Sequence, residues 1–189
     1  MIMLKNNNTV KFVVTLFLVG IFIGIIANIT FKPEISTYLN DFRAEVSSGN
    51  LNTFLLNIAL ISGVFILSIS IVGLPIILFY IFYEGFSIGF TLISFALVFG
   101  IKGFLFYLLY FVIVKLIFII CALYFVFMST RFDIRLINAL IHKKQEEIYG
   151  VFVNQLYRYI IVLLVIAINS TLIYFFANKI IALFLPLIK

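Results

Sequence analysis

The sequence predicts an all-α fold: a polytopic transmembrane helical bundle of about five spans, with a broken or re-entrant element near residues 73-85. Three observations predict it. Of 189 residues, 65% are hydrophobic and 11% are charged, where a typical soluble domain carries about 25% charged residues. The mean hydropathy is +1.30. The charges gather in short segments between long apolar runs. So few polar side chains cannot cover a soluble surface of this size. A disordered chain would be charge-rich and poor in aromatics, whereas 18% of these residues are aromatic. At about 20 apolar residues per crossing, five or six helices fill the chain and leave no room for a soluble catalytic domain.

The first span is expected at 12-29, an uncleaved helix, since the run is too long for a signal-peptide core and no small-residue cleavage site follows. Gly20 and Gly24 form a GxxxG pair, which either admits a second helix closely or reflects the frequency of Gly in spanning helices. A polar segment follows at 30-53. Pro33 and Glu34 suit a helix start, and Ile35, Tyr38, Leu39, Phe42 and Val46 fall on one helical face. This amphipathic helix would lie on the membrane, dock a partner or pack on its own bundle.

From Phe54 to Ile101 the only charge is Glu84. Two spans are expected, at 54-72 and 76-100, divided at Gly73-Leu74-Pro75, because Pro disfavours helix in the preceding residue and Gly permits a turn. The alternatives are a kink at Pro75 with the turn at Glu84-Gly85, or a half-inserted element over residues 74 to 85. Lys102-Gly103 reads as a short loop, then a fourth span at 104-128 with Lys115 near its middle. Residues 131-158 hold five Lys and Arg, and their apolar spacing reads as a surface-lying amphipathic helix. A fifth span is expected at 159-178. The density of basic residues puts 131-158 in the cytoplasm, the N-terminus inside, the C-terminus outside and 30-53 on the outer face. The net charge of +6 then suits an anionic bilayer surface, and no nucleic acid. Trp is absent, so interfacial anchoring falls to Tyr.

No catalytic site is expected: the sequence has no HExxH, GxSxG or Walker A pattern and no Cys-His pairing. One His, His142, and one Cys, Cys121, exclude a His-based metal cluster and an internal disulfide, and no cofactor is expected. Glu84 and Lys115 are the anomalies. A charge at a helix centre costs ~3 kcal/mol on insertion scales and marks a functional candidate. An ion pair between neighbouring helices would account for both.

The stretch Leu67 to Phe95, with Gly73-Leu74-Pro75, then Glu84-Gly85 and Gly89, resembles the stage II sporulation protein M family, as does Lys102-Gly103-Phe104. The layout of spans and loops fits the family along nearly the whole chain, while the motif itself lies within Leu67 to Phe104. The fourth span departs from the family: Phe111 to Lys115 stands where its members tend to carry Pro and polar residues. The resemblance implies a non-enzymatic scaffold of forespore engulfment, in the septal and engulfing mother-cell membrane. It implies stage II sporulation proteins D and P, which degrade peptidoglycan, as partners; an outward amphipathic helix with Tyr38, Leu39 and Phe42 as anchors would dock them while the bundle forms a homo-oligomer. A transporter or channel subunit, resembling an exporter permease, is the competing reading. It would use the broken helix at Pro75 with Glu84 and Lys115.

Overall fold

A computed structural model of the chain describes residues 2–31, 52–68, 73–141, 145–173, 175 and 179. The described residues form α1 (Ile2–Phe31), α2 (Asn52–Ser68) and α3 (Gly73–Tyr110). A π-turn (Phe111–Lys115) leads into α4 (Leu116–Ile141), and α5 (Gln145–Leu172) follows. Three stretches are long and apolar enough to cross a membrane: Asn8–Phe31, Gly73–Ile137 and Phe152–Leu172. The apolar part of α2, Leu55–Leu67, is shorter.

The surface is inverted relative to that of a water-soluble protein. Phe22, Phe79, Ile101, Ile120, Leu164 and Ile168 are exposed, while Asn28, Ser94, Ser129, Asp133, Gln155 and Asn169 are buried. Lipid tails are as apolar as Leu, so large apolar side chains gain little by leaving them, and polar groups must find partners inside. Thr91, Ser94 and Thr130 do so by donating to the carbonyl four residues back.

The tightest contact joins α1 to α3. A Cβ on Gly20 or Gly24 would strike the backbone carbonyl of Phe82 or Phe86, and one on Gly85 or Gly89 that of Phe17 or Ile21. Each helix thus offers two glycines, four apart, to the other's backbone. Facing residues keep a nearly constant sequence offset: 62 for Gly20 and Phe82, 62 for Gly24 and Phe86, 66 for Asn28 and Ser94, 68 for Phe17 and Gly85, and 68 for Ile21 and Gly89. A nearly constant difference means that the two helices run parallel. The segment between them must therefore bring the chain back to the start of α1. With a helical rise of about 1.5 Å per residue, the length of α2 supplies roughly 26 Å of that return.

Gly73 opens α3 in contact with the backbone of Leu67, near the end of α2. Pro75 sits in the first turn of α3, where its missing N–H removes no helical hydrogen bond. The helix then passes through Glu84 and Gly85 uninterrupted. Neither a turn at Glu84-Gly85 nor a broken or re-entrant element over 73-85 is present: the Pro that suggested one starts a helix instead. Residues 69–72 lie outside the described residues.

The next reversal is at Gly100, not at Lys102-Gly103. Gly100 adopts φ 63° and ψ −145°, a conformation open to Gly and strained for other residues. Phe95 meets Phe106 and Tyr107 with ring centroids 5.7 and 5.6 Å apart, though a straight helix would separate positions 95 and 107 by about 18 Å. The chain folds back sharply, and Gly103 packs on the Phe95 carbonyl.

Past Met128, α4 continues to Ile141, and α5 begins at Gln145. The surface-lying helix expected over 131-158 is instead the end of one long helix and the start of the next. No Gly or Pro interrupts Ser129 to Ile141, so the helix outlasts its apolar stretch. Helices α2, α4 and α5 meet where Phe65 stacks on Tyr159 at 4.2 Å, Phe125 lies 6.0 Å from Tyr159, and the hydroxyls of Ser62 and Tyr159 share a 2.8 Å hydrogen bond.

Gly24→Leu or Gly85→Leu will force α1 and α3 apart. Each is expected to lower stability by about 1–3 kcal/mol, the usual cost of overpacking, read by denaturant titration of the purified protein in detergent. Gly63→Ala, whose Cβ meets nothing within 4 Å, will be neutral or slightly stabilising.

Candidate functional site

Three tiers of polar groups inside the bundle stand out. Asn28 and Ser94 close the end of the α1–α3 contact nearest Gly100. The Asn28 Nδ2 donates to the Phe90 carbonyl at 3.1 Å and to the Ser94 Oγ at 2.6 Å. Ser94 in turn donates to the Phe90 carbonyl at 2.9 Å. The Asn28 Oδ1 is buried and accepts no bond. This tier serves packing: in an apolar surround the amide holds the two helices in register.

The middle tier holds Glu84 and Lys115. Glu84 precedes Gly100 by nearly the same stretch of chain as Lys115 follows it. At about 1.5 Å per residue both are roughly 22–24 Å from the corner, so the fold-back brings two charges distant in sequence to similar depth. Among the described residues no ion pair joins them. The buried Tyr80 hydroxyl stands beside Glu84, one turn earlier on the same helix. Lys115, half-buried, ends the π-turn. Such a turn inserts one residue per turn and frequently marks a functional position.

The third tier lies between α4 and α5, remote from Gly100. The Gln155 Nε2 donates to the Ser129 Oγ at 3.2 Å. Asp133, one turn beyond Ser129, is wholly buried, and neither carboxylate oxygen has a hydrogen-bond partner; the Gln155 Oε1 has none either. Sequence reasoning assigns Asp133 to a solvated segment and passes over Gln155. The signal that identifies them is the i, i+4 spacing of Ser129 and Asp133, which puts two polar groups on one helical face.

Of the residues singled out from sequence, Gly85 and Gly89 form the α1–α3 contact, Gly73 and Pro75 begin α3, and Glu84 and Lys115 share a depth without touching. Ile35, Tyr38, Leu39, Phe42 and Val46 lie outside the described residues. Among the residues described, no group of three His, Cys, Asp or Glu is placed to hold a metal ion.

A sequence model of the family described as Stage II sporulation protein M matches residues 13–176. Comparison with curated proteins and with solved structures returns no match.

Two outcomes test this geometry. Glu84→Gln and Lys115→Met will have additive effects on stability, within about 0.3–0.5 kcal/mol, as is typical of uncoupled sites; a larger coupling in denaturant titrations would mean that the charges pair. Asp133→Asn replaces a buried carboxyl that has no partner with an amide that can donate. It is expected to raise the unfolding midpoint, by about 1–3 kcal/mol in stability, and a lowered midpoint would show that the carboxylate has a stabilising partner.

Proposed function

The chain belongs to the stage II sporulation protein M family, and on that premise we propose that this membrane protein of sporulation is a scaffold of the engulfment machinery. In this reading it recruits and positions the peptidoglycan-degrading stage II sporulation proteins D and P at the septal mother-cell membrane. It works by holding partners that carry catalytic groups, and is not itself an enzyme. Five crossings are proposed: α1, α2, the two arms that meet at Gly100, and α5. The parallel course of α1 and α3 supports this count, because a return crossing is needed between them. Gly73–Ile137 also supports it. Its 65 residues would extend about 98 Å if straight, roughly three times the ~30 Å hydrocarbon core. With the N-terminus inside, the segment between α1 and α2 faces outward, where peptidoglycan and its hydrolases are.

The observation that carries the reading is the family match over residues 13–176. A second reading, the membrane subunit of an exporter-like transporter, draws on the middle tier: Glu84, Lys115 and the π-turn beside them.

Deletion of the gene, followed by membrane-dye microscopy of sporulating cells, is expected to give septa that form but do not curve around the forespore. Normal engulfment would reject the scaffold role, and a defect confined to vegetative cells would favour transport. In complemented cells, removal of residues 34 to 46 is expected to abolish co-purification of proteins D and P. Undiminished capture would move the docking surface elsewhere.

A further inference from the structure

Three arginines converge where α4 meets α5. Arg158, on α5, donates from Nη1 to the Met128 Sδ at 3.4 Å, so its guanidinium reaches across to α4. Arg131, three residues beyond Met128, lies over the Phe127 ring at 5.1 Å. Arg135 is exposed one turn further on the same face. Arg135 and Arg158 both lie near enough to act electrostatically on Arg131. Like charges at i, i+4 on a helix oppose each other, and here a third charge joins them from the neighbouring helix.

Asp133 does not offset them. It is two residues from Arg131 and from Arg135, about 200° around the helix from each. Its carboxylate is buried in the interior without a partner. The chain thus turns its acid inward, while Arg135 is exposed and Arg131 and Arg158 are half-buried. The surroundings define the counter-ion. Ile161 and Leu164, about one and two turns beyond Arg158, are exposed apolar residues; on its other side Phe152 and Val153 are exposed as well, and Tyr149 and Tyr157, 76% and 65% exposed, lie along the same stretch. A stretch carrying two exposed Tyr reads as the interfacial band near the end of an apolar span, and Arg158 follows the second of them directly.

We infer that Arg131, Arg135 and Arg158 form a binding site for the phosphodiester headgroup of an anionic phospholipid, clamped across the α4–α5 junction. Guanidinium groups pair with phosphate oxygens two bonds at a time, and a phosphate held between the two helices replaces mutual repulsion with a shared attraction. The site depends on the chemistry of this corner alone, so it stands or falls independently of the role in engulfment.

The test uses the full chain, delipidated in neutral detergent and then exposed to equal amounts of phosphatidylglycerol and phosphatidylcholine, with retained lipid read by native mass spectrometry. The wild type is expected to retain phosphatidylglycerol selectively. Arg131→Gln, Arg135→Gln and Arg158→Gln together should weaken it roughly a hundredfold, since each basic group near an anionic headgroup contributes about a factor of five. Lys5→Gln, Lys11→Gln and Lys102→Gln together remove the same charge elsewhere and should leave retention unchanged. Equal retention by both triple variants overturns the site, and so does inorganic phosphate displacing phosphatidylglycerol from the wild type at millimolar concentration, which would identify a free-phosphate site. Should the arginine triple variant fail to fold, Arg158→Gln alone is expected to weaken retention about fivefold; unchanged affinity there overturns the proposal equally.

Discussion

The close approach of α1 and α3 is the constraint on which the rest of the bundle depends. Without a hydrophobic drive between helices in lipid, association rests on van der Waals contact and on buried hydrogen bonds. Four glycines let the two backbones touch, and Asn28 fixes how far one helix can slide along the other. Because that contact is parallel, it dictates the route of the chain. The chain must run back through α2 between the two, and the fold-back at Gly100 must bring α4 down again beside α3. The aromatic cluster of Phe65, Phe125 and Tyr159 then ties α2, α4 and α5 together on the other side.

Polar residues in this interior divide by whether they are satisfied. Ser94 and Thr91 bond to the carbonyl four residues back, and the Asn28 Nδ2 bonds across to α3 and pins the register, while its Oδ1 has no partner. Asp133 and the Gln155 carbonyl lack partners, although an unmade bond to a buried group costs about 1–3 kcal/mol and more for a charge. Such a cost, kept at the junction of two helices, is the signature of a position shaped by something other than packing. The arginines on the opposite face of the same turn share that junction. One short length of α4 thus carries both a buried carboxyl without a partner and two of the three clustered arginines.

Much of the architecture was legible in the sequence. Composition and apolar runs gave the membrane class. The GxxxG spacing of Gly20 and Gly24 allows a contact face without requiring one, and Gly73-Leu74-Pro75 marks a division between spans. What failed was the equation of membrane boundaries with helix boundaries. Charged residues after Met128 signal the edge of the lipid, but they do not stop a helix, so α4 ran on to Ile141 and the expected surface helix dissolved into two helix ends. The corner fell at Gly100 and not at Lys102-Gly103, because backbone conformation decided it and polarity did not. The pairing of Gly20 and Gly24 with Gly85 and Gly89 was not legible as a pair, since spacing within one helix carries no address for its partner. Glu84 and Lys115 were recognised as anomalies, but whether opposite charges at one depth meet depends on the rotation of each helix, which periodicity alone left open.

The nearly constant offset between α1 and α3 also has a consequence for how the protein is made. Each contacting position on α1 finds its partner 62 to 68 residues later in the chain. At about 5–20 residues per second, α1 leaves the ribosome roughly 3–14 s before its partner. Throughout that interval its glycine face is open and Asn28 has no amide or hydroxyl to meet. The insertion machinery, or the lipid beside it, must shelter a half-finished interface for seconds. A nascent chain stalled shortly before Gly85 would be left with its most adhesive surface uncovered.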